Sequence, residues 1–119
     1  QEGMPRKGVE MKVRLSRWHE DVVVCEVTDD TAPAHLLEGL KHKGLGYALW
    51  GESIKTPIIV IDNRGDLTPD QLLAIEAHEL GHVMTKSLKE TDAELFGIAL
   101  LRANGRHEAA DILLERGVV

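Results

Sequence analysis

The sequence predicts an α+β fold: a small N-terminal β-sheet with one helix, followed by three C-terminal helices. Two observations lead to this prediction. Over the first half of the chain, apolar residues alternate with polar ones or gather in runs of four to six, as is typical of strands. From Thr68 onward, helix-capping residues precede segments in which apolar side chains recur every three to four residues, the period of an amphipathic helix.

The length and composition limit the classes of protein to which the chain can belong. Its 119 residues suit one domain over 1–119, with a loose tail over 1–8. A net charge of −6 without a basic cluster argues against nucleic acid as a partner. Apolar stretches fall far short of the ~20 residues that cross a bilayer. We therefore expect a soluble protein without a membrane partner, cytoplasmic by default, although a signal peptide already removed would leave no trace. The oligomeric state is not predicted.

Four strands and one helix are predicted before Thr68. Val, Met and Leu alternate with charged residues over 9–15, and 22–27 is a second apolar run, so the two segments are expected to form a hairpin. A short helix is expected over 31–41, with Thr31 as its N-cap. Residues 47–50 form a weak strand and 57–62 a strong one, rich in isoleucine and valine. The lone Cys25 falls within the second apolar run, which predicts a buried, inert thiol.

Three helices are predicted after this sheet. Thr68, Pro69 and Gln71 are typical of the first turn of a helix, whose apolar side continues to Met84. A capping box over 91–94 predicts that a second helix begins with Thr91 as its N-cap, and it ends near residues 104–105. A last helix is expected over 107–116, before Gly117.

The sequence His78-Glu79-Leu80-Gly81-His82 is a complete HExxH motif on the first of these three helices. Two histidines four residues apart lie on the same helix face, so both imidazoles can bind one Zn²⁺. Glu79 then reaches the zinc-bound water as general base. Since no other ligand cluster is visible, we expect one zinc per chain. Catalytic zinc usually takes a third protein ligand, and Asp92, Glu94 and Glu90 are the candidates unless they only stabilise the helix dipole.

The segment Asp92-Ala93-Glu94-Leu95-Phe96-Gly97, followed by Leu100-Leu101 and Asn104-Gly105, resembles the second motif of gluzincin metallopeptidases related to the CAAX prenyl endopeptidases. With HExxH, the resemblance covers about 72–113. It implies a zincin-like fold, Asp92 as third zinc ligand, and Glu94 as the acid that orients a ligand histidine. Glu94 and Glu90 remain alternative ligands. Because no membrane-spanning segment is present, the chain looks like the minimal soluble members called minigluzincins. Phage-repressor-cleaving metallopeptidases share a similar HExxH and acidic second helix.

These features predict a small zinc metallopeptidase that hydrolyses peptide bonds of a peptide or protein substrate by a zinc-bound water. The alternatives are a latent or non-catalytic zinc-binding regulatory protein of the same fold, and an interaction module without metal. Tyr47, His107 and Arg102 are candidates to assist the oxyanion. Residues 58–62 would form either an edge strand that pairs with an extended substrate, as the resemblance implies, or a buried core strand.

Overall fold

The computed structural model describes residues 11–116 as a four-stranded sheet and four α-helices, which confirms the predicted α+β class. The predicted tail, the first two residues of the first predicted strand, and Gly117 lie outside these residues. The elements in chain order are β1 Met11–Ser16, β2 His19–Val27, α1 Ala34–Lys43, β3 Gly46–Leu49, β4 Ile58–Asp62, α2 Pro69–Thr85, α3 Glu90–Ala103 and α4 His107–Glu115. No helix within 11–116 is long and apolar enough to cross a lipid bilayer.

The strands are ordered β1-β2-β4-β3 across the sheet. The predicted hairpin is confirmed, since β1 and β2 pair antiparallel with Met11 opposite Val27. Strand β4 runs parallel to β2 on one side and antiparallel to β3 on the other. The possibility that 58–62 is an edge strand is therefore wrong, because neighbours occupy both sides of β4. Strand β3 forms an edge of the sheet instead.

The sheet is covered on both faces, which explains the unbroken apolar run in β4. Ile59 and Ile61 pack in one core with Ile75 and Leu80 of α2. Val60 points to the opposite face and joins the core beneath α1, where Cys25 is also buried. Burial raises the pKa of the Cys25 thiol, so this group stays protonated and unreactive near neutral pH.

Helix α2 begins as the sequence predicts. The Thr68 hydroxyl accepts a hydrogen bond from the Gln71 N–H at 3.1 Å, and the Gln71 side chain accepts one from the Thr68 N–H at 2.8 Å. This reciprocal capping box satisfies two N–H groups that the first turn of a helix leaves without partners. Pro69 fits the first helical position because it has no N–H to lose.

Two other predicted N-caps are wrong. Helix α1 has Pro33 in the capping position. Thr31 does not cap this helix because its hydroxyl and its N–H both donate hydrogen bonds to the Asp29 carboxylate. Helix α3 begins at Glu90, so Thr91 already lies inside it and caps nothing. Because α3 starts at Glu90, this residue is part of the helix and shares a helix face with Glu94, four residues further on.

Helices α2 and α3 meet at close range. Lys86 ends α2 in the left-handed conformation (φ 54°), and the chain reverses into α3 within four residues. A Cβ atom at Gly81 would lie only 2.5 Å from the Ala93 carbonyl oxygen and 2.8 Å from its Cα. Glycine at position 81 therefore permits the approach that brings the start of α3 over the two motif histidines.

A buried carboxylate ties the β1–β2 hairpin to α2. Glu76 accepts hydrogen bonds from Ser16 Oγ at 2.7 Å, Arg14 Nη2 at 2.8 Å and Arg17 Nε at 3.2 Å. Burial opposes its ionisation, but the hydrogen bonds from Arg14 and Ser16 outweigh this effect and lower the pKa of Glu76. The motif helix is thus held at its midpoint by an ionised, fully paired group.

Candidate metal centre

The structure brings together His78 and His82 of α2 and Glu90 of α3. Both histidines are buried, and their rings meet edge to face with centroids 5.0 Å apart. Glu90 Oε1 lies 2.8 Å from His78 Nε2, and its Oε2 lies 3.5 Å from His82 Nε2. One ligand atom from each residue falls within 4.8 Å of the other two, so the group could hold a metal ion.

The remaining ring nitrogens of both histidines are occupied by hydrogen bonds that orient the rings. The Glu94 carboxylate contacts His78 Nδ1 at 2.5 Å. His82 Nδ1 donates to the Ser87 carbonyl oxygen at 2.8 Å. A carbonyl oxygen can only accept, so this bond assigns the proton of neutral His82 to Nδ1 and leaves the Nε2 lone pair for a metal. Metal-binding histidines commonly have such outer partners.

Asp92 lies outside this three-residue group. Its carboxylate instead accepts a hydrogen bond from Ser87 Oγ at 2.6 Å, in the turn between α2 and α3. The reason is the helix start: Glu90 and Glu94 are four residues apart and share one face of α3, while Asp92 falls between them on another side. The geometry therefore favours the alternative ligand Glu90 over Asp92, and gives Glu94 the contact with a histidine that the sequence predicted for it.

Glu79 lies beside the group and is buried, with 7% of the residue exposed. Burial, together with the negative charges of Glu90 and Glu94, raises the pKa of Glu79 to about 8, while Arg116 and Lys43 act in the opposite direction. No residue within 11–116 forms a hydrogen bond or an ion pair with this carboxylate. Its oxygens therefore remain available to a water molecule or a substrate.

The group opens into a cleft of about 650 Å³ between α2 and the edge strand β3. Gly46 of β3 borders Glu79, since a Cβ atom at position 46 would lie 3.4 Å from Glu79 Cγ. Trp50, just after β3, stacks on His82 with ring planes 10° apart and centroids separated by 6.0 Å. The other side chains lining the cleft come from three regions: Lys43, Leu45, Tyr47 and Ala48 around β3, Ile75 on α2, and Leu88, Glu90 and Arg116 beyond it.

The candidates named from the sequence for assisting an oxyanion have different surroundings. Arg102 donates to Asp111 at 2.9 Å and contacts His107 on the outer side of α3 and α4, and neither Arg102 nor His107 lines the cleft. Tyr47 lines it in part, but its ring is turned to α1, where its hydroxyl lies 2.6 Å from the Cβ position of Gly39. Among residues 11–116, the cations that line the cleft are Lys43 and Arg116, which no sequence motif marked.

Comparisons with models of known protein families, with curated proteins and with solved structures gave no match for the chain. The function must therefore be inferred from the chemistry of the site.

Proposed function

We propose that the protein is a small zinc-dependent metallopeptidase. The observation that supports this proposal is the convergence of His78, His82 and Glu90 beside Glu79, a buried acid. Two histidines and one carboxylate form a donor set typical of catalytic zinc, which keeps one coordination position open. A purely structural zinc site would have four protein ligands and no need of a free carboxylate next to it.

The residues of the site have distinct tasks in this proposal. His78, His82 and Glu90 hold the metal, and Glu94 with the Ser87 carbonyl keeps the two imidazoles oriented. When bound, zinc supplies Lewis-acid chemistry, lowering the pKa of a water and offsetting negative charge that develops on a carbonyl oxygen. Glu79 accepts a proton from the attacking water at one carboxylate oxygen and returns it to the leaving nitrogen.

Strand β3 offers the substrate a backbone to pair with. The Asp62 N–H donates to the Leu45 carbonyl at 2.8 Å, and alternate residues of an antiparallel strand turn to the same neighbour. The backbone N–H and C=O groups of Tyr47 and Leu49 therefore point to β4, whereas those of Gly46 and Ala48 point to the free edge of the sheet. An extended peptide that adds to this edge would pass the Glu79 carboxylate.

Zinc titration of single variants tests the ligand assignment. We expect Glu90→Ala to lower zinc affinity by more than about a hundredfold, because it removes a direct ligand, and Asp92→Ala to change it by less than about threefold. His82→Ala should abolish stoichiometric binding of one zinc per chain. A larger loss with Asp92→Ala than with Glu90→Ala would restore Asp92 as the third ligand.

Peptidase assays test the role of Glu79. We expect zinc-loaded wild-type protein to cleave an unfolded protein such as casein, and Glu79→Gln to bind zinc normally but lose at least about a thousandfold in rate, because glutamine cannot accept a proton. Glu108→Gln, at an exposed position of α4, is the matched control and should retain full activity. A zinc-loaded wild type without activity would favour the non-catalytic alternative, and an active Glu79→Gln would exclude Glu79 as the base.

A further inference from the structure

We infer that the cleft lined by Lys43 and Arg116 binds a carboxylate of the substrate peptide. This inference deepens the proposed function and rests on it, since it names the chemical class of substrate that the same cleft accepts. The two cations reach the cleft from different elements: Lys43 is the last residue of α1, and Arg116 directly follows α4.

Both cations have N–H donors without an acceptor among residues 11–116. Lys43 is exposed, and its ammonium group has no hydrogen bond or ion pair with any residue of the described part of the chain. Arg116 has one described partner, Glu94, whose Oε2 lies 3.5 Å from Arg116 Nε. That distance and geometry do not give Glu94 Oε2 a hydrogen bond. The two Nη groups of Arg116 thus have no acceptor among residues 11–116, and its side chain is 40% exposed.

The charge of the metal-loaded cleft favours an anionic substrate. A bound divalent cation with Lys43 and Arg116 carries four positive charges, against at most three negative charges from Glu79 and Glu90 in the cleft and Glu94 behind His78, although the chain as a whole carries −6. A positively charged cleft on a negatively charged protein concentrates negatively charged ligands.

The position of Lys43 relative to β3 indicates which side of the peptide bears the carboxylate. Lys43 precedes the first residue of β3, and Trp50 follows its last. A peptide that pairs antiparallel to β3, the more stable arrangement, has its C-terminal side at the Lys43 end. The carboxylate is then an acidic side chain on the C-terminal side of the cleaved bond or the C-terminus of the peptide. Trp50, which stacks on His82, offers an apolar contact at the other end, and Leu88 also lines the cleft.

Peptide binding to zinc-loaded Glu79→Gln protein tests the inference without requiring turnover. Three short N-terminally labelled peptides of alanine and leucine are compared by fluorescence anisotropy: one amidated, one with a free C-terminus, and one amidated with a glutamate near its C-terminal end. At least one carboxylate peptide should bind about five- to twentyfold more tightly than the neutral peptide, as expected for one or two partly exposed ion pairs. Which peptide gains identifies the source of the carboxylate.

Variants of the two cations complete the test. Lys43→Gln and Arg116→Gln, each in the Glu79→Gln background, should reduce this preference at least threefold, and Lys43→Glu should remove it. Arg102→Gln is the control, because Arg102 lies outside the cleft. Lys43 is exposed, so its variants keep the test valid even if Arg116→Gln weakens folding.

Equal affinity for all three peptides, absence of binding, or a preference unchanged in both cation variants would overturn the inference. The proposed function has separate readouts. Absence of wild-type cleavage would overturn that function, while a carboxylate preference could still be measured on the zinc-loaded protein. Cleavage without a carboxylate preference would overturn the inference alone.

Discussion

Replacing Gly81 by alanine should weaken both the fold and the candidate metal centre. In an isolated helix this change stabilises by about 1 kcal/mol, because alanine has the higher helix propensity. In this protein the new Cβ would lie 2.5 Å from the Ala93 carbonyl oxygen and 2.8 Å from its Cα. Ordinary contacts between heavy atoms are about 3.5 Å. Since these atoms belong to the backbone, α3 as a whole must move away by about 1 Å.

The structure gives the expected size of this effect. Overpacking of a close contact costs about 1–3 kcal/mol, and a clash with a rigid backbone belongs at the upper end. After the gain in helix propensity, we expect a net loss of about 2 kcal/mol in the free energy of unfolding, or roughly 5–10 °C in Tm. Glu90 lies on the helix that moves, and metal–ligand distances tolerate only about ±0.2 Å. Zinc affinity should therefore fall at least about tenfold.

Thermal unfolding of the metal-free protein and competitive zinc titration measure the two effects separately. Gly65→Ala is the matched control, because a Cβ atom at Gly65 meets nothing within 4 Å, and its Tm and zinc affinity should stay close to the wild-type values. If Gly81→Ala were as stable as wild type and bound zinc equally well, α3 would not approach α2 as closely as described, and Glu90 would lose its geometric support as a ligand.

Three further predictions concern the buried carboxylates and the metal. Glu76→Ala should lower the free energy of unfolding by about 2–4 kcal/mol, because it leaves a partly buried arginine without its main partner; denaturant unfolding beside the exposed control Glu108→Ala measures this, and equal losses would contradict it. Glu94→Gln should retain the fold but bind zinc about ten- to a hundredfold more weakly, because His78 loses its charged partner; an unchanged dissociation constant would show that this contact does not support the metal. Zinc at a hundred times its dissociation constant should stabilise the wild type by about 2.7 kcal/mol, and a similar rise in the Tm of His82→Ala would place the ion elsewhere.

Most of the secondary structure could be predicted because its signals are local. The capping box of Thr68 and Gln71 satisfies backbone groups within one helical turn, so three residues are enough to indicate it. The apolar run in 58–62 predicted a strand for the same reason. Its place in the sheet could not be read from the run, since an apolar strand fits both a central and an edge position until its neighbours are known.

The candidate metal centre was likewise predicted only in part from the sequence. The sequence by itself determined the α+β class and placed two histidines and Glu79 on one helix, because a spacing of four residues fixes a common helix face. Only the tertiary structure decided which acid meets the histidines. The start of α3 at Glu90, rather than after Thr91, turns Glu90 and Glu94 to the site and leaves Asp92 with Ser87. Lys43 and Arg116 are likewise far apart in sequence, and both line the cleft only because the helices and the sheet pack around α2.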